Sequence, residues 1–108
     1  MKKVLLDECV PRPFARSLTS HAVSSVTKEG WAGIQNGRLL RLAAAAGFEV
    51  FLTVDQSIPY QQSIAGLPMA LIIVTAKSNR LNDLLPLAAA VMSAIAGAPV
   101  GQATHVLS

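Results

Sequence analysis

Two stretches, Val4-Leu5-Leu6-Asp7-Glu8 and Phe51-Leu52-Thr53-Val54-Asp55, decide the reading of this chain. Each is an apolar run of strand character that stops on a carboxylate. Acidic residues number only six among 108, so two such endings carry weight. If the two runs are neighbouring parallel strands, Asp7 and Asp55 emerge side by side at one edge of a sheet. Open α/β sheets bind their ligands outside the carboxyl ends of the strands, at a topological switch point. Carboxylates converging there suit a hard divalent cation, magnesium or manganese.

Outward from these stretches, strand and helix signals alternate. Val4–Leu6 predicts a short buried strand. Pro11 and Pro13 open a helix to about Thr19, because proline is tolerated in a first helical turn. Ala22–Thr27 reads as a second strand and Gly30-Trp31-Ala32-Gly33 as a loop, with Trp31 as an anchor on the core. Asn36 is the expected cap of a helix over Gly37–Ala46 that stops at Gly47. Phe48–Val54 predicts the third strand, and Gln56–Gly66 a loop or short helix broken by Pro59. Met69–Thr75, apolar nearly throughout, predicts a central fourth strand. Asn79 is the expected cap of a long helix from Arg80 to about Ala96, and Thr104–Leu107 gives a weak last strand. The order predicts an α/β fold: one domain over residues 1–108, a three-layer sandwich with a mostly parallel sheet. Strand order 2-1-3-4, with a fifth strand outside the fourth, is the simplest arrangement that brings Asp7 beside Asp55.

Composition narrows the function classes. A chain with 52 % hydrophobic and 14 % charged residues is a folded domain, not a disordered tail. A formal net charge of +3 suits a polyanionic partner without the density of a nucleic-acid-coating protein. The single cysteine, Cys9, excludes an internal disulfide and a thiolate cluster, and its two acidic neighbours make it a poorly activated thiol. The apolar start is cut short at Asp7, so no secretory leader is read there and a cytoplasmic protein is expected. From Leu84 onward no Asp, Glu, Lys or Arg occurs. That run is too short and too broken by Pro and Gly to span a bilayer, and a symmetric homodimer burying part of it is expected.

Residues capable of chemistry cluster at the predicted edge. Asp7 and Asp55 head the set, with Glu8 as a further ligand. Lys28 follows the second strand, and Lys77, Ser78, Asn79 and Arg80 follow the fourth. A helix starting beside Ser78 and Asn79 would offer backbone N–H groups to phosphate. His21 and His105 fall in no ligand spacing, and no Ser–His–acid set, phosphate-cradling glycine loop or zinc spacing is present.

Four ordered motifs carry a family resemblance. They are Val4-Leu5-Leu6-Asp7-Glu8-Cys9-Val10-Pro11-Arg12; Gly30-Trp31-Ala32-Gly33 with Asn36-Gly37 and Leu39-Leu40; Phe51-Leu52-Thr53-Val54-Asp55 with Pro59-Tyr60-Gln61-Gln62; and Ser78-Asn79-Arg80-Leu81 with Asp83-Leu84-Leu85-Pro86. Together they resemble the short PIN-like proteins, toxin components of prokaryotic toxin–antitoxin pairs, over nearly the whole chain. The resemblance implies a magnesium- or manganese-dependent ribonuclease, acting on RNA and neutralised by a cognate antitoxin protein. It implies Asp7 and Asp55 as catalytic metal ligands, and Arg12, Gln61, Gln62, Asn79 and Arg80 as substrate-side or scaffold residues. One departure stands out: where such proteins read Asn-Gly-Glu-Leu-Leu, this chain has Arg38 in place of the acid. An arginine there repels a cation or contacts RNA phosphate, which points to attenuated cleavage.

Two other classes fit the same residues. One is a degenerate PIN-like module that binds protein without nuclease activity, favoured by Arg38. The other is a phosphoacceptor receiver domain, with Asp7-Glu8 after strand one, Asp55 as acceptor and Thr75 after strand four. Against the receiver, no strand ending in lysine followed by a final helix is evident.

Overall fold

In the computed structural model, which describes residues 1–58 and 64–108, five strands form one all-parallel sheet in the order β2-β1-β3-β4-β5. The strands are β1 (Lys3–Leu6), β2 (Ala22–Ser25), β3 (Val50–Thr53), β4 (Ala70–Thr75) and β5 (Ala103–Leu107). The expected order holds, the last strand lies outside β4, and it runs parallel to it with Ile73 opposite His105. The middle strand is β3, wholly buried, while β4 sits between β3 and β5.

Pleat alternation divides the core into two layers, since successive strand residues face opposite sides of a sheet. Val4, Leu6, Val50, Leu52, Ile72 and Val74 pack with Phe14, Leu84, Val91 and Ile95 on one face. Leu5, Phe51, Leu71 and Ile73 pack with Leu39, Leu40, Ala43 and Phe48 on the other. Residues buried on both sides explain why these strands read as continuous apolar runs.

The helices depart from expectation in instructive ways. The segment after β1 forms a 3-10 turn over Arg12–Ser17, not a helix to Thr19; Pro13 brings no N–H to an α-helical ladder. Helix α1 is Asn36–Ala45, and Asn36 is its first residue instead of its cap: Gln35 holds that position, without a side-chain cap bond. Gly47 closes α1 at φ +87, a conformation that suits glycine. The long helix expected from Arg80 is broken into α2 (Leu81–Leu84), a 3-10 turn (Leu85–Leu87) containing Pro86, and α3 (Ala88–Gly97). Asn79 does not cap it; Arg80 is in the cap position.

Lysines 2 and 3 tie the layers together. The Lys2 ammonium donates to the Ile95 carbonyl in the last turn of α3, at 2.8 Å. The Lys3 ammonium donates to the Ala46 carbonyl at the end of α1, at 2.7 Å, and lies 4.4 Å from the Phe48 ring centroid. Each places a cation at the negative end of a helix dipole. Trp31 packs edge-on against Phe48, centroids 6.0 Å apart, as the loop anchor expected of it. Among the described residues no helix is long and apolar enough to cross a membrane.

Candidate metal and substrate site at the carboxyl edge

Strands β1 and β3 are hydrogen-bonded parallel neighbours, with Leu6 opposite Leu52. Asp7 leaves β1 and Asp55 leaves β3 at the same carboxyl edge, and the backbone N–H of Asp7 still donates to the Leu52 carbonyl. In this order β1 lies between β2 and β3, so the edge outside β1 and β3 is the switch point of the fold.

A buried hydroxyl links the Asp7 carboxylate to the Asp55 backbone. Thr53, with no exposed surface, donates its hydroxyl to Asp7 Oδ2 at 2.7 Å and accepts the Asp55 backbone N–H at 3.0 Å. Asp7 is itself buried, and its Oδ1 accepts the Glu8 backbone N–H at 2.8 Å. Cys9 Sγ lies 3.5 Å from Asp7 Oδ2 and 3.4 Å from Thr53 Oγ1. Burial, reinforced by the Asp7 charge and opposed by the Thr53 bond, pushes the Cys9 thiol pKa upward, so sulfur stays protonated at neutral pH. Asp55 is half-buried, and its Oδ1 accepts both the backbone N–H and the hydroxyl of Ser57, at 2.9 and 2.6 Å.

Glu8 is turned to a different task. It is exposed, and its Oε1 accepts the Gly33 backbone N–H at 2.8 Å, fastening the loop that leads into α1. Among the described residues no group of three His, Cys, Asp or Glu side chains gathers to hold a metal ion. Asp7 and Asp55 are the hard oxygen donors at this edge, of the type that a magnesium or manganese ion takes. Each carboxylate oxygen has two acceptor positions, the protein donors leave some of them open, and magnesium keeps several waters beside one or two carboxylates.

The remaining expected residues are spread along this edge and beyond it. Arg12 and Lys28, both exposed, line one cavity of about 240 Å³ with Leu6, Ala15, Val23, Ser24 and Ser25. Ser78 and Asn79 line another, of about 260 Å³, with Val54, Gln56, Val74, Thr75 and Ala76. Arg38 is exposed in the first turn of α1, whose entry loop Glu8 holds to the carboxyl edge. Gln61 and Gln62 lie outside the described residues. The phosphate-binding turn expected beyond β4 is not offered: the Ser78 hydroxyl accepts the Arg80 N–H and donates to Asp83, 2.5 Å away, and α2 is a single turn. Asn79 instead donates to the Cys9 carbonyl at 3.2 Å, pinning the loop after β4 to the loop after β1. Arg80 is exposed at the start of α2.

Sequence reading passed over Thr53. Its signal was a polar residue closing an otherwise apolar strand two positions before Asp55, the spacing that pleat alternation assigns to one side of a strand. Gln56 was also missed; its amide donates to the Val54 and Val74 carbonyls and its Oε1 accepts the Thr75 hydroxyl, closing the gap between β3 and β4. The order 2-1-3-4-5 is shared by flavodoxin-like and receiver folds, so topology alone does not select a chemistry. β5, Ala103–Leu107, contains no lysine.

No family model, curated protein or solved structure matches this chain.

Proposed function

We propose that this chain is a PIN-like, magnesium- or manganese-dependent ribonuclease of low turnover, the toxin half of a toxin–antitoxin pair acting in the cytosol. One observation carries the reading: Asp7 and Asp55 leave adjacent parallel strands at the switch point, and the Thr53 hydroxyl links the Asp7 carboxylate to the Asp55 backbone. In this reading Asp7 and Asp55 hold the cation and Thr53 fixes their relative position. The cation, when bound, supplies a polarised phosphoryl oxygen and an acidified water. Arg12 and Lys28 attract the RNA backbone, and Arg38 lowers cation affinity by like-charge repulsion, an effect that solvent screening moderates at its exposed position. The antitoxin is the protein partner, encoded beside this gene.

The test is cleavage of a single-stranded RNA across a manganese titration. Wild type should cleave slowly, Asp7→Asn and Asp55→Asn should not cleave, and Arg38→Glu should cleave faster and bind manganese more tightly by calorimetry. Cleavage that survives both chelator and Asp55→Asn would refute the proposal.

A second reading has its own support. The Glu8 carboxylate is committed to the Gly33 N–H, and Arg38 stands in the first turn of α1. With two carboxylates left, the same edge suits a module that binds without cleaving. Retained RNA or antitoxin binding with no metal-dependent cleavage in any variant would select it.

A further inference from the structure

The two cavities along the carboxyl edge differ in charge, and that difference assigns a direction to the edge. The cavity beyond β3 and β4 is lined by Val54, Gln56, Thr75, Ser78 and Asn79, among others, with no charged side chain. The cavity beside β1 and β2 is lined by Arg12 and Lys28 at its rim, over a floor of Leu6, Ala15 and Val23. Arg12 also lines a neighbouring hollow of about 390 Å³ with Pro13, Ala15 and Arg16. Three exposed cations, Lys28, Arg12 and Arg16, therefore follow one another from the turn after β2 along the 3-10 turn. Ser24 Oγ is engaged by Glu29, to which it donates at 2.6 Å, so the cations and not this hydroxyl define the cavity's chemistry.

We propose that this track seats the sugar–phosphate backbone of a single-stranded nucleic acid, with one phosphate between Arg12 and Lys28 and the next toward Arg16. The apolar floor takes the ribose, and the strand approaches Asp7 from the β2 side. This rests on the ribonuclease reading for its biological sense, but the binding itself requires neither cation nor cleavage. An apolar-floored cavity between two cations suits an alternating sugar–phosphate chain better than an acidic peptide, whose carboxylates carry no ring to fill it.

The experiment is fluorescence anisotropy of a labelled oligouridylate with the full chain in EDTA, at several salt concentrations. The double variant Arg12→Ala/Lys28→Ala should bind about tenfold or more weakly, and its salt slope should fall by about 1.4, since each phosphate contact on a single strand contributes about 0.7. Arg41→Ala, which removes an exposed cation from α1, should bind as wild type does. All variants are surface changes, and equal thermal melting would confirm that they fold alike. Unchanged affinity and slope in the double variant would overturn the assignment, as would an equal loss in Arg41→Ala. Oligoglutamate competing as effectively as unlabelled oligouridylate would overturn it in favour of an acidic protein partner. Asp55→Asn should keep full binding, so loss of cleavage with binding retained separates the failure of catalysis from the failure of this track.

Discussion

Replacing Thr53 by valine removes one hydroxyl from a site with no access to water, while keeping the branched shape. In the native chain that hydroxyl donates to the Asp7 carboxylate and accepts the Asp55 N–H. A hydrogen bond to a charged group contributes about 1.5–3 kcal/mol, and a second bond, to the backbone N–H of half-buried Asp55, contributes about 0.5–1.5 kcal/mol. Because the two losses fall on one small cluster and relax together, a combined destabilisation of about 3 kcal/mol is expected. For a domain of this size that lowers the melting temperature by roughly 10–20 °C. Thr53→Ser keeps the hydroxyl and deletes one methyl, a loss of about 1 kcal/mol. Urea titration of the three proteins gives the comparison, with manganese calorimetry as a second readout in which Thr53→Val should bind more weakly and Thr53→Ser nearly normally. Equal destabilisation by serine and valine would show that the methyl, not the hydroxyl, matters, and the bridging argument would fail.

Three further outcomes are expected. Partial burial, together with the positive N-terminus and Lys2, lowers the His21 pKa, and its Nδ1 accepts the Lys2 backbone N–H at 3.0 Å. The fold therefore favours neutral imidazole: stability should be full above about pH 6.5, decline as pH falls through that value, and level off below the folded pKa. His21→Gln should remove that slope in urea titrations. Gly101 has φ +74, and a Cβ there would lie 2.9 Å from the Ala65 carbonyl oxygen, so Gly101→Ala should cost about 1–3 kcal/mol. Gly66→Ala, with open space around it, should be tolerated in the same assay. We also propose self-association across the edge strand β5, where Leu107 is 67 % exposed. Light scattering should report a dimer that Leu107→Asp dissociates, and a monomer at all concentrations would refute it.

The sheet was legible because buried strands leave a strong mark: Val4–Leu6, Phe51–Leu52 and Leu71–Val74 offer no polar face. The position of Asp7 beside Asp55 followed from one topological argument, and the pairing of Leu6 with Leu52 agrees with it. Helix interiors were harder. Helix-forming residues stand on both sides of Pro86, Leu81–Leu85 before it and Ala88–Ala90 after it, yet the proline breaks the chain into α2, a 3-10 turn and α3. Asn36 looked like a cap because its side chain is of the right type, but capping depends on the backbone geometry of Gln35. The Glu8–Gly33 and Asn79–Cys9 contacts span 25 and 70 residues. Nothing local announces such pairings, so the diversion of Glu8 from the acidic pair could be learned only from the folded chain.

The consecutive lysines at the start of β1 have a mechanical meaning. A pleated strand sends neighbouring side chains to opposite faces, so Lys2 reaches α3 on one side of the sheet and Lys3 reaches the end of α1 on the other. One dipeptide thus grips both outer layers, and neither helix can peel away without disturbing the strand that carries Asp7. Tension applied at the amino end would release both grips at once, loosening the two layers as a unit instead of one after the other.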